Sequence, residues 1–341
     1  MPTPKMPFGG VLYAAMGELF SAAGGASWDP PVSGAGNLLT GRSWKNRLAN
    51  RGWPSGERGP RHARVLGQKR GIVTEETTAK LKKLDEAFAR FVRPDSFPLA
   101  IRMLKAGEEL PPDVKVPSSS FGEQWIVCQS IGVARRYGWA IAVGKQDVIC
   151  PLAAIAFGFR RPNDEYLKGF ASVEMYCKDE PAAANLEAAV WKFEPGQYDY
   201  TCVAPVSRAK FEPHVVAVYG NSAQVLRLVH AALYRHGGRV VSTTGGRVDC
   251  AEIVIQTMST NQPKVILPCT GDRVFGMAQD TEMVFAFPWG YVDEIIEGLE
   301  GTHKGGVRYP ITVAMRETVT MPKTYQDLMK MLRERDEQSP E

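Results

Sequence analysis

The sequence predicts an α/β fold, an internally duplicated strand-helix-strand unit with a mixed sheet, preceded by a disordered N-terminal tail. Three observations carry this. The 341 residues are 44% hydrophobic and 23% charged, the balance of a globular protein. Strand and helix signals alternate from residue 74 onward. Two blocks, beginning at Ser120 and Asn221, follow the same order of cap, helix, strand and cysteine about 100 residues apart. Such a repeat implies two half-domains about a pseudo-two-fold axis with a site between them.

Residues 1 to 74 hold 13 Gly, 7 Pro and 5 Ser and no sustained apolar periodicity, so residues 1–73 are expected to be disordered and dispensable. They also carry ten Lys and Arg against three acids. That leaves 31 bases and 34 acids in residues 75–341, and the formal +4 of the whole chain belongs to the tail. The folded part lacks the basic excess of a nucleic-acid footprint. A secretory signal is disfavoured, since Glu18 and several glycines break the apolar run after Lys5. A basic arm for an acidic partner, with Trp44 and Trp53 among the arginines, is a second reading. The favoured one is upstream sequence ahead of a true start near Val65 or Val73. No run reaches the roughly 18 apolar residues of a membrane span.

The single duplicated domain is expected over 74–320, with halves at about 95–205 and 213–300 and a C-terminal helix and tail over 321–341. Thr74 caps a first helix with Glu75 and Glu76 against its positive end, and Leu81, Leu84, Phe88 and Phe91 share a face. Phe97 to Leu104 reads as a buried strand. Ser120 with Glu123 forms a capping box for a helix ending at Gly138, and Asn221 with Gln224 opens another ending at Gly237. Strands are predicted at Trp139–Val143 and Arg239–Ser242. Each is followed by a cysteine, Cys150 or Cys250. Tyr200–Ala204 and Met283–Phe287 form a second matched pair of strands.

Several of these residues resemble a known family. Cys128-Gln129, the turn Asp147-x-x-Cys150-Pro151, the run Tyr219 to Gln224, the segment Pro268 to Arg273 and Arg308-Tyr309-Pro310-Ile311 are similar to domain of unknown function 169. The resemblance spans about residues 75–315. Ser222 departs from the proline that the family pattern implies, a change of small cost at a first helical position. The family implies no activity, so the chemistry rests on the residues.

The cysteines are the most informative of these. Without a secretory signal the compartment is expected to be the reducing cytoplasm, which favours metal or redox use over disulfides. Cys128, Cys150, Cys250 and Cys269 fall at element ends or turns, where ligands are usually placed, and Cys150 precedes an N1-type proline. Cys202 reads as core and Cys177 as either core or surface. Four thiolates can hold an iron-sulfur cluster or a zinc ion, although no Cys-x-x-Cys pair is present, and four inert buried cysteines are an equal alternative. Glycine-bearing turns beside the cysteines suggest a second reading, a small anionic ligand at helix N-termini, with Asn221, Thr243, Thr244, Arg247, Asp272 and Arg273 as candidate contacts. A nucleophilic pair of Cys150 with His236 is weaker, and no nucleophile elbow, P-loop or dinucleotide fingerprint is present. The partners expected are a small molecule or a redox protein, with neither nucleic acid nor membrane.

Overall fold

Every strand of this protein is apolar on both faces, and a computed structural model shows why: helices cover both sides of one six-stranded sheet. The structure describes residues 73–311 and 319–338. The expectations for residues 1–72, tail, basic arm or early start, lie outside them.

Thr74 caps α1 (Glu75–Phe91), its side chain accepting from the Thr77 N–H, and Leu81, Leu84, Phe88 and Phe91 are buried as the periodicity requires. Then follow β1 (Leu99–Leu104), α2 (Pro117–Phe121), α3 (Val127–Tyr137), β2 (Ile141–Gly144), α4 (Pro151–Ala156), α5 (Asp164–Leu167), α6 (Glu180–Ala189) and β3 (Tyr200–Pro205). The second half runs β4 (Val215–Gly220), α7 (Ser222–Leu233), α8 (Asp249–Ala251), a π-helical turn Glu252–Gln256, α9 (Thr257–Thr260), β5 (Lys264–Ile266), α10 (Thr270–Phe275), β6 (Met283–Pro288) and α11 (Val292–Lys304). Last comes α12 (Lys323–Gln338). Among the described residues no helix is long and apolar enough to cross a membrane.

The strand order is β2-β3-β1-β4-β6-β5, and every pairing is antiparallel, not mixed. The correction has a simple origin. β1 and β2 do run parallel to each other, as a strand-helix-strand unit requires, but β3 inserts between them antiparallel to both. β6 does the same between β4 and β5. Outward from the central β1/β4 pair, where Ala100 faces Val216, the order is therefore the same on the two sides. Leu99, Ile101, Val215, Ala217, Val284 and Ala286 pack under α3, α4 and the Asp249–Thr260 segment, whereas Ala100, Val216, Val218, Phe285 and Phe287 pack under α1, α7 and α11.

The two blocks matched in the sequence are not matched in the structure, and a duplication in that register has no support. Ser120 caps nothing. Pro117 starts a five-residue helix that Gly122 ends in the left-handed region (φ 71), and α3 begins afresh after Ile126. Asn221 does form its capping box with Gln224, but no strand follows at Arg239–Ser242. That segment instead lies beside the three-residue β5, where Ser242 Oγ accepts from the Val265 N–H and the Lys264 ammonium bonds the Val241 carbonyl. By position in the sheet, the helix preceding β2 carries Cys128 and the one preceding β5 carries Cys250. Cys150 caps α4 and Cys269 caps α10.

Candidate metal centre

Four short stretches of backbone bring the cysteines together on one face of the sheet. Cys128 is the second residue of α3, and Cys250 the second of α8. Cys150 and Cys269 are the N-cap residues of α4 and α10. The Cys128 thiol neighbours those of Cys250 and Cys269. Cys128 Sγ is 3.9 Å from Asp249 Oδ1, and the ligand atoms of Cys128, Asp249 and Cys269 all lie within 4.8 Å of one another. Cys150 stands slightly apart. It is within range of the charges of Cys250 and Cys269, and it caps α4 without a side-chain hydrogen bond.

The approach of α3 to α10 depends on two glycines. A Cβ on Gly132 would sit 2.4 Å from the Gly276 carbonyl oxygen, and one on Gly276 would sit 1.8 Å from Asp272 Oδ1. Only bare backbone lets these segments close and set Cys128 against Cys269.

The backbone ahead of Cys250 is strained. Val248 is β-branched yet left-handed (φ 53, ψ 48), a conformation costing about 1 to 3 kcal/mol that persists where its surroundings hold it. Arg247 supplies that hold through an ion pair with buried Glu187, a hydrogen bond to the Ala171 carbonyl and stacking on Tyr176. The π turn follows immediately. Its ends are tied by Glu252, which accepts from the Gly245 N–H, and by Gln256, which bonds Thr243.

The electrostatics are those of a buried cluster of acidic groups whose charged forms are disfavoured. Burial pushes the Asp249 carboxyl well above the usual carboxylate range, and the charge of Cys269 adds to this. Burial and the charge of Asp249 do the same to Asp272, whose Oδ2 accepts from the Tyr219 hydroxyl at 2.8 Å. Asp249 Oδ2 and Asp272 Oδ1 are buried without a donor. Among the described residues neither carboxylate has an ion-pair partner. Arg135, stacked on the Tyr219 ring, is committed to Glu282. Cys128 is pushed up, first by its hydrogen bond to Cys250. Cys250 is lowered by that same bond, but burial and neighbouring charges outweigh it and carry the thiol to about 11. Cys269 is raised by its hydrogen bond to Cys128 and by burial, and Cys150 is raised by burial.

A pH dependence follows. Thiols raised above the ordinary 9.0 in the fold contribute stability that is fully present below 9.0 and lost as pH climbs toward the folded values. The metal-free protein is therefore expected to lose melting temperature above pH 9.0, and a variant with Cys128 and Cys269 both changed to Ser to lose less. Equal slopes in differential scanning calorimetry would count against this.

Of the residues suggested for an anion, only Asp272 enters the cluster directly, and it lies inside rather than at the rim. Arg247 reaches Cys150 through its charge alone. Asn221 spends its side chain on the Ala223 and Gln224 N–H groups and on Tyr309. Thr243 bonds Gln256, Thr244 accepts from the Gly246 N–H, and Arg273 bonds the Gln279 carbonyl. His236 and Cys150 belong to layers on opposite faces of the sheet. Cys202 is core, its thiol raised by burial to about 12, and Cys177 is half-buried. All six cysteines are free. Asp249 and Tyr219 were not among the candidate site residues, although Asp249 stands beside Cys250 and Tyr219 opens the run that resembles the family.

The family model for domain of unknown function 169, described as uncharacterised ArCR, matches residues 87–298. The uncharacterized protein MJ0308 of Methanocaldococcus jannaschii is 30% identical over 205 residues, which cover 59% of this chain and 86% of that protein. No solved structure matches the chain at comparable significance. The matched span contains the four clustered cysteines together with Asp249, Asp272 and Tyr219, and the chain belongs to the family of domain of unknown function 169.

Proposed function

We propose that this protein binds a thiophilic metal, as an ion or an iron-sulfur cluster, at the cysteine pocket on the sheet, and that it serves as a redox or enzyme component of the reducing cytoplasm. The observation that carries this reading is the set Cys128, Asp249 and Cys269, the first two buried and the third half-buried, with ligand atoms within 4.8 Å of one another. Thiolates and a carboxylate gathered without a cation are costly unless protonated, and a metal exchanges those protons for its own charge. Bound there, the metal would supply Lewis acidity or electron transfer. The chain's own part is to hold the donors: Gly132 and Gly276 permit their approach, Arg247 fixes the backbone before Asp249, and the Tyr219 hydroxyl orients Asp272.

The anion reading is less favoured, because the N–H groups of Ala223, Gln224, Gly245 and Gly246 are already bonded within the fold. Elemental analysis of anaerobically purified protein, with an ultraviolet-visible spectrum, tests the proposal. Near-stoichiometric zinc or iron, lost in Cys269→Ser with the fold retained, is the expected result. Protein that carries no metal and takes none up from zinc, or from iron with sulfide, overturns it.

A further inference from the structure

The donor atoms are packed too closely for a four-iron cluster. In a four-iron cluster each thiolate binds its own iron, which keeps the sulfurs roughly 6 to 7 Å apart. Thiolates that share one tetrahedral ion at bonds of ~2.3 Å lie about 3.8 Å apart. Cys128, Cys269 and the Asp249 carboxylate, within 4.8 Å of one another, match the second case and leave no room for the first.

Two further thiols stand outside this set. Cys250 neighbours Cys128 and Cys150 is reached by the charge of Cys269, but neither is among the donors that lie within 4.8 Å of one another. Asp249 Oδ2, fully buried without a donor, is an acceptor that the fold leaves unpaired.

We infer that the pocket holds a single ion of the zinc class, bound by Cys128, Cys269 and Asp249, with Cys150 and Cys250 as thiols beside it. This rests on the metal-binding reading above and goes beyond it in nuclearity and in ligand set. Two thiolates and a carboxylate form a mixed soft and hard donor set that suits a borderline divalent ion.

The test is anaerobic titration of the metal-free full chain with cobalt(II), followed by displacement with zinc. One equivalent is expected, with sulfur-to-cobalt charge transfer and the intense visible bands of a tetrahedral site. Cys150→Ala should keep the stoichiometry and the spectrum. Cys128→Ser should lose about half of the charge-transfer intensity, and Asp249→Asn should shift the visible bands with that intensity retained. Two equivalents, a brown cluster formed from iron and sulfide, or loss of binding in a folded Cys150→Ala would overturn the inference and leave the metal reading intact. Uptake of no metal under any of these conditions would sink both. Circular dichroism of each variant separates loss of a ligand from loss of fold, and the unmutated chain alone decides the stoichiometry.

Discussion

Gly132→Ala is expected to separate the site without touching a donor. The new methyl would stand 2.4 Å from the Gly276 carbonyl oxygen and 2.8 Å from its carbonyl carbon, and both contacts are backbone. A flexible side chain could swing away, but α3 and the end of α10 have to part instead. Gly276 cannot yield toward the site, because Asp272 Oδ1 and the Cys128 carbonyl already crowd it. Overpacking of this kind costs about 1 to 3 kcal/mol. Its larger effect is on function, since the displacement moves Cys128 on α3 away from Cys269 at the start of α10. Metal affinity should fall by roughly tenfold to a hundredfold, the scale seen when supporting contacts around a metal are lost. A melting curve and a metal titration on the same sample decide it. Wild-type affinity at wild-type stability would show that the two segments have room that the geometry denies.

Glu187→Ala is expected to be the most destabilising change at the second position, by about 3 to 5 kcal/mol, because it leaves the Arg247 guanidinium buried and unpaired. Glu187 is 1% exposed and Arg247 6%, and Ser172 and Arg247 both donate to Glu187 Oε1. Exchanging both partners for apolar residues, as in Glu187→Leu with Arg247→Met, should recover most of the loss, since well-packed apolar side chains replace buried ion pairs at little cost. Chemical denaturation of the single and double variants gives the comparison. If the double variant is as unstable as the single, the loss belongs to packing and not to the charge. The pair also bears on the site. Arg247 anchors the residue before left-handed Val248, which leads into Asp249 and Cys250, so the single variant should bind metal more weakly although Glu187 touches no donor.

Local signals in the sequence determined much of this protein. Thr74 and Asn221 accept from N–H groups of their own helices, and a cap of that kind is decided within four residues. Pro151 marks the start of α4 and so places Cys150 at a helix N-terminus, and Cys202, in an apolar strand, is core. The four cysteines stood out because each fell at the end of an element, and the resemblance over Tyr219 to Gln224 and Pro268 to Arg273 belongs to the span that the family model covers.

Other features were decided only by the tertiary structure. Whether β1 and β2 are neighbours depends on β3, about sixty residues further on, entering between them, and strands buried on both faces carry no alternation that would reveal this. Ser120 with Glu123 satisfied the capping pattern, but Pro117 and Gly122 claimed that segment for a shorter helix, two local signals in competition. Matching Cys150 with Cys250 by their even spacing was overruled by the sheet, which sets Cys250 beside Cys128. The spacings from Cys128 to Cys150 and from Cys250 to Cys269, 22 and 19 residues, with Phe-Gly closing both segments at 157–158 and 275–276, were the visible trace of that arrangement. Contact between thiols on separate elements is a long-range property: it depends on how closely α3 and α10 approach, and that distance is set by the missing side chains of Gly132 and Gly276.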